Sequence, residues 1–300
     1  MGMADSKSGL FNYHGRWEAT SQGMLPQWIR PYVEFLTDAD FKLDIEAEDN
    51  SFHVSVNGEK AEPVDKVYAV NGEALVRITA DETAKPMYFK GVETKGQIKK
   101  ALSRDKHLLF IGDSLTHSPF SHSVVLPREL NCDYTCIAQG GMSLCIGRGY
   151  LNRPDRAGLE GMSKAFFKLQ SPVTQQEMTD YDFSSGETPD EIFVNLGTND
   201  CLINEEKTVE FKEVYVDFIG KVRAIYPKAK MYLLLPIADS EGGFRRDTIE
   251  WCAKKCEQLY DGVTYVSSRG WDVEISEDKI HPTPEGYAAY ANELMKFLKK

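Results

Sequence analysis

Three hundred residues suffice for one large domain or two ordinary ones with a sizeable core. The composition, 42% apolar, 27% charged and 11% aromatic, is ordinary for a globular chain. A net charge of −11 argues against nucleic acid or an anionic membrane as partner, since both demand clustered Lys and Arg.

Along the chain, Met1 to Leu10 lacks the apolar core of a secretory signal. A cytosolic protein is therefore expected, or a secreted one whose signal has been removed. No run approaches the roughly 18 uninterrupted apolar residues of a membrane span. Residues 1–10 are expected as a tail. Phe41, Leu43, Ile45 and Ala47 alternate with polar residues, as do Phe52, Val54 and Val56, which run into the hairpin signal Asn57-Gly58. A strand over 67–70, the turn Asn71-Gly72 and a strand over 74–80 repeat the arrangement, and 86–92 adds one more strand. No helical period occurs in this third, so 11–92 is expected to form a small all-β sandwich of jelly-roll type. A polar link follows over 93–104.

From 105 to 300 the pattern changes. Short apolar runs at 108–111, 134–138, 191–196, 230–236 and 263–266 predict buried parallel strands. Helical stretches lie between the later ones, over 205–226 and 246–260. Asn204 can cap the first, with Glu205 and Glu206 favoured in its opening turn by the helix dipole. A last helix starts with Thr283 as cap and Pro284 at the first position. The expected architecture is α/β: three α/β/α layers around a parallel five-stranded sheet. The stretch 143–189 is long and irregular, and connections this long often carry function. Of six cysteines, none forms a CxxC pair, and no histidine spacing suits zinc. Cys132, Cys136, Cys145, Cys201, Cys252 and Cys256 are expected as buried thiols, with no metal and no cofactor.

Three segments carry the chemistry. Gly112-Asp113-Ser114-Leu115 follows a predicted strand and offers a hydroxyl at its carboxyl end, where open α/β sheets place ligands. Gly197-Thr198-Asn199-Asp200 follows another strand. Asp278 and His281 stand three apart, close enough for one tight turn to set carboxylate against imidazole, and Pro282 stiffens that turn. Serine needs a base to take its proton as it attacks, and a carboxylate on the far ring nitrogen fixes the base's tautomer. Donors for the oxyanion could come from the Ser114 N–H, from Gly140 or Gly141 after the second strand, and from the Asn199 amide. His117 also lies near Ser114, but His281 has the carboxylate spacing and His117 does not.

This ordered set resembles the sequence blocks of the SGNH, or GDSL-type, hydrolase superfamily. The resemblance covers about 108–300 and implies Ser114, His281 and Asp278 as the catalytic triad. It implies Ser114, Gly141 and Asn199 as the oxyanion hole, with Gly140 as the alternative glycine. Cys136 and Ile137 occupy the region where the second block usually carries an Asn before its glycine. A β-sandwich ahead of such a domain is similar to carbohydrate esterase family 2, and Gly15-Arg16-Trp17 resembles the N-terminal pattern of that family. The implied activity is removal of O-acetyl groups from acetylated oligo- or polysaccharides by a serine esterase.

Alternatives are a short-chain lipid acylhydrolase or thioesterase on the same scaffold, and a non-catalytic carbohydrate-binding protein. Arg148, Arg153, Asp155 and Arg156 among the glycines of 143–189 suit a polar ligand better than an acyl chain. Trp271, before Asp278, is a candidate sugar platform or a packing anchor. Asp113 and Gly140 are further candidates for substrate contact.

Overall fold

The structure, a computed structural model, describes residues 2–47, 51–81, 87–145, 159–173, 177–200, 205–237 and 244–299. It divides into two compact units, 1–104 with 169–179, and 105–168 with 180–300. Cys201, Asn204 and the charged residues Arg148, Arg153, Asp155 and Arg156 lie outside the described residues. Among the described residues no helix is long and apolar enough to cross a membrane.

The first unit is one antiparallel sheet of nine strands: β1 (Gly2–Asp5), β2 (Asn12–Thr20), β3 (Gly23–Thr37), β4 (Phe41–Ala47), β5 (Phe52–Val56), β6 (Glu59–Lys60), β7 (Ala74–Ala80), β8 (Met87–Thr94) and β9 (Ile98–Lys100). Phe11, Val33, Phe35, Phe41, Val76, Ile78 and Phe89 fill its core. Four features differ from the sequence reading. The expected tail contains β1, which pairs with β8. The expected link contains β9, which pairs with β3. The strand expected over 67–70 is reduced to isolated bridges, Phe41 to Tyr68 and Val64 to Val67, because Asp65 and Lys66 turn the chain at positive φ. Finally, the long central β3 gave no alternating signal. It is buried almost continuously and carries Pro26 and Pro31, with Trp28 and Arg30 at positive φ. The returning segment 169–179 is anchored here by the Trp28 indole N–H, which donates to the Leu169 carbonyl at 3.1 Å.

The second unit holds a parallel five-stranded sheet: β10 (His107–Gly112), β11 (Asp133–Ala138), β12 (Glu191–Asn195), β13 (Lys230–Leu234) and β14 (Val263–Val266), in the order β11-β10-β12-β13-β14. All five lie within a residue or two of the expected runs. Its helices are α1 (Ser114–His117), α2 (His122–Leu130), α3 (Met162–Ala165), α4 (Glu205–Ile225), α5 (Phe244–Leu259) and α6 (Pro284–Leu298). The three later ones match the expected stretches; α1 to α3, two of them a single turn long, gave no periodic signal. The β10-to-β11 connection and the connections through α4 and α5 run in opposite directions across the sheet. Right-handed crossovers therefore put α1 and α2 on one face and α4 and α5 on the other. α6 packs against α2, and α3 against α4. The described cysteines, Cys132, Cys136, Cys145, Cys252 and Cys256, are all buried.

Register across the sheet aligns Phe110 with Phe193 and Phe193 with Tyr232. Their rings stack at 5.2 and 5.1 Å, a ladder of the kind that stabilises neighbouring strands. Phe193, at its centre, is completely buried. Phe193→Ala is expected to cost about 3–5 kcal/mol, read as a lowered urea midpoint with an unchanged m-value. A loss under about 1 kcal/mol would mean that the ladder contributes little beyond shape.

Candidate active site

Gly112 ends β10, and the chain doubles back at once into α1. A Cβ at Gly112 would lie 2.1 Å from the Thr116 hydroxyl and 3.0 Å from the Asn195 carbonyl, so the turn closes only over glycine. Asp113 caps it: its Oδ1 accepts from the Leu115 N–H at 3.0 Å, and its carbonyl accepts from the N–H groups of Thr116 and His117. Ser114, the first residue of α1, is thereby presented at the carboxyl end of β10.

Asp278 and His281 sit on a small closed loop before α6. The Ser276 N–H donates to the His281 carbonyl at 2.8 Å, and Ile275 bridges Pro282. The two Asp278 oxygens divide their work. Oδ1 accepts from the Ser276 hydroxyl and from the N–H groups of Ile280 and His281, at 2.8 to 2.9 Å. Oδ2 faces His281 Nδ1 at 2.6 Å. Partial burial raises the carboxyl, but the bonds from His281, Ile280 and Ser276 outweigh it and hold Asp278 well below the usual carboxylate range. It is ionised throughout the neutral range. His281 Nε2 lies 2.7 Å from Ser114 Oγ, which completes a continuous line from carboxylate to hydroxyl. The proton on Nδ1 faces the carboxylate, so Nε2 offers its lone pair to the serine.

The other predicted residues lie beside this line. The Gly140 N–H donates to His117 Nδ1 at 2.8 Å, so that nitrogen faces the glycine turn. Gly141 follows at φ +76°, a conformation that favours glycine. The Asn199 amide, almost buried, donates to the Met142 carbonyl at 3.0 Å. Asp200, part of the Gly197–Asp200 segment but given no role of its own in the sequence reading, binds the same stretch: its carboxylate accepts from the N–H groups of Leu144 and Cys145 at 2.8 and 3.0 Å. Arg245, on α5, donates to the Thr198 carbonyl at 2.8 Å and steadies that turn from behind.

Of the expected substrate contacts, Asp113 meets a different geometry, and Trp271 takes the packing position that was its other reading. Asp113 is fully buried and presents no surface to a ligand. Trp271 is half-buried, its ring edge-on to Tyr290 of α6 at 5.0 Å.

The arrangement sets a hydroxyl, an imidazole and a carboxylate in line at hydrogen-bond distance, the set of groups that nucleophilic acyl transfer would use. The sequence profile of the GDSL-like Lipase/Acylhydrolase family matches residues 110–289. The chain belongs to that family. Its solved structural relatives extend the likeness to both units. Est2A, an acetyl xylan esterase from the rumen bacterium Butyrivibrio proteoclasticus, is 19% identical with a TM-score of 0.76, covering 99% of this chain and 97% of that one. A family two carbohydrate esterase from Clostridium thermocellum, solved with cellohexaose, is 21% identical at 0.77, covering 96% and 98%. Another family two carbohydrate esterase, from Cellvibrio japonicus, is 15% identical at 0.82, covering 99% and 97%. At these identities the likeness establishes the fold. No curated protein sequence matches the chain.

In this GDSL-family member an orienting role for Asp278 can be tested directly. Asp278→Asn keeps the shape, removes the charge and can leave the imidazole in the wrong tautomer. kcat for p-nitrophenyl acetate is expected to fall on the order of 10⁴-fold with KM little changed. A variant that kept most of its kcat would transfer the orienting role to another group.

Asp113 yields a test of opposite kind. Burial pushes its carboxyl up to about 6; the nearby Asp200 charge adds to this, and the Leu115 N–H opposes it. A carboxyl raised in the folded state stabilises that state below its unfolded pKa of about 3.9 and loses the contribution as pH rises through about 6. Asp113→Asn retains an acceptor for Leu115 but cannot ionise. Between about pH 4 and pH 8, the stability difference from wild type should move in the variant's favour by about 2 kcal/mol in urea unfolding. A difference independent of pH would place the carboxyl in its ordinary range.

Proposed function

We propose that this protein is a serine esterase that removes O-acetyl groups from carbohydrates, among them acetylated xylan, mannan and related oligosaccharides. The observation that carries the reading is the unbroken line Asp278–His281–Ser114, with 2.6 and 2.7 Å contacts. In the reading, His281 Nε2 takes the Ser114 proton as Oγ attacks the acetyl carbonyl. The Ser114 and Gly141 N–H groups and the Asn199 amide stabilise the resulting oxyanion. Gly141 is preferred over Gly140 because the Gly140 N–H is already committed to His117. His281 then gives that proton to the departing sugar oxygen, releasing it as a hydroxyl, and a water, deprotonated by the same nitrogen, releases acetate and restores Ser114. The scheme requires no metal or cofactor.

Carbohydrate as the substrate class is supported by the relatives described above, an acetyl xylan esterase and family two carbohydrate esterases, one of them holding cellohexaose. Likeness over almost the whole chain also supports reading the antiparallel unit as the jelly-roll-like sandwich of that architecture, ahead of a hydrolase domain from about residue 105.

One set of measurements tests both levels. A fluorophosphonate should modify Ser114 alone, detected by peptide mass, and Ser114→Ala should lose turnover while remaining folded. Acetate should be released from acetylated xylan or glucomannan oligosaccharides, with EDTA leaving the rate unchanged. Across p-nitrophenyl acetate, butyrate and octanoate, kcat/KM should fall steeply, because a pocket shaped for acetyl meets each added methylene sterically. Modification elsewhere overturns the serine mechanism. A kcat/KM that rises with chain length overturns the acetyl reading in favour of a lipid acylhydrolase or thioesterase.

A further inference from the structure

The glycine turn after β11 is the weakest part of the assembly on physical grounds. Gly140 and Gly141 have no side chains to anchor them, and glycine loses more conformational freedom on ordering than any other residue. A donor aimed at a developing oxyanion is effective only if its direction is fixed before the reaction begins. The backbone around 140–141 is held from three sides. Asn199 grips the Met142 carbonyl and Asp200 grips the Leu144 and Cys145 N–H groups, both downstream of the glycines. On the glycines themselves the tie is the bond from the Gly140 N–H to His117 Nδ1.

We propose that His117 is a positioning residue for the oxyanion turn: its Nδ1 fixes the Gly140 peptide, and through it the direction of the Gly141 N–H. The inference rests on the reading of Ser114 as nucleophile and Gly141 as oxyanion donor. A backbone N–H can only donate, so Nδ1 is the acceptor and the proton of the ring sits on Nε2. His117 closes α1, three residues after Ser114, and its own N–H donates to the Asp113 carbonyl at 2.8 Å. The imidazole therefore belongs to the same tight turn that presents the nucleophile. One side-chain bond ties the nucleophile's turn to the donor's turn, and the spacing between attacking oxygen and oxyanion donor is set by this contact. The fit is close, since a Cβ on Gly140 would lie 3.4 Å from Nδ1.

The chemistry distinguishes an acceptor at the δ position from mere bulk. Asn places an oxygen near the site of Nδ1, Gln places one near Nε2, and Phe supplies the ring without an acceptor. On p-nitrophenyl acetate, His117→Phe and His117→Gln should lose about 10- to 100-fold in kcat with KM little changed, the cost of a donor misplaced by a fraction of an ångström to an ångström. His117→Asn should recover most of that loss. Equal losses in all three variants, or a change confined to KM, would overturn the proposal.

A spectroscopic measurement on the wild-type protein stands apart from catalysis and from variants that fail to fold. In ¹⁵N-labelled protein, a scalar coupling across the hydrogen bond should connect the Gly140 amide nitrogen with His117 Nδ1. Protein that labels Ser114 with fluorophosphonate but lacks the coupling overturns the positioning role alone. Protein that shows the coupling but leaves Ser114 unmodified overturns the esterase reading, and the positioning role with it.

Discussion

Parallel register is the constraint on which the site depends. Gly112 at the end of β10 pairs with Ala138 of β11 on one side and with Asn195 of β12 on the other. Three strands thus stop level with one another on one edge of the sheet. The next few residues of each must then share the same small space: Ser114, the Gly140-Gly141 turn, and Asn199. β10 is also where the connections diverge, toward β11 in one direction and β12 in the other, and open α/β sheets form their ligand crevice at such a point. The loop carrying Asp278 and His281 comes from elsewhere, delivered by α6 as it docks on α2.

Much of this was legible in the sequence because its signals are local. The five parallel strands are short apolar runs between turn residues, and burial on both faces demands that pattern. Asp278 and His281 could be paired because three residues fit one turn, and Ser114 because a glycine and a capping Asp mark a strand-to-helix reversal. The features that escaped depend on distance. Asp200 meets Leu144 and Cys145 more than 50 residues away, and His117 meets Gly140 at a separation of 23, so no window along the chain contains both partners. β3 escaped for a different reason. A strand buried almost throughout, broken by Pro26 and Pro31 and bent at Trp28 and Arg30, shows neither alternation nor a clean apolar run.

The turn that presents Ser114 joins two requirements that pull against each other. Closing tightly over Gly112 places the Asp113 carboxyl in the interior, where ionisation is disfavoured. The same residue must accept from Leu115 to hold α1 in place. A shallower turn would solvate the carboxyl and loosen the serine. The fold keeps the tight turn and accepts a titratable group in its core.

The loop that carries Asp278 and His281 has a consequence for how the site assembles. Carboxylate and imidazole are three residues apart, so bringing them together closes a very short loop, with little chain entropy to lose. Backbone bonds to Asp278 Oδ1 complete that closure without help from the rest of the molecule. Ser114 is 167 residues away from His281, and theirs is the one distant encounter that lining up these three side chains needs. What would otherwise be a meeting of three separate segments becomes a meeting of two. In the folded chain this loop therefore presents carboxylate and imidazole together, as one locally closed unit.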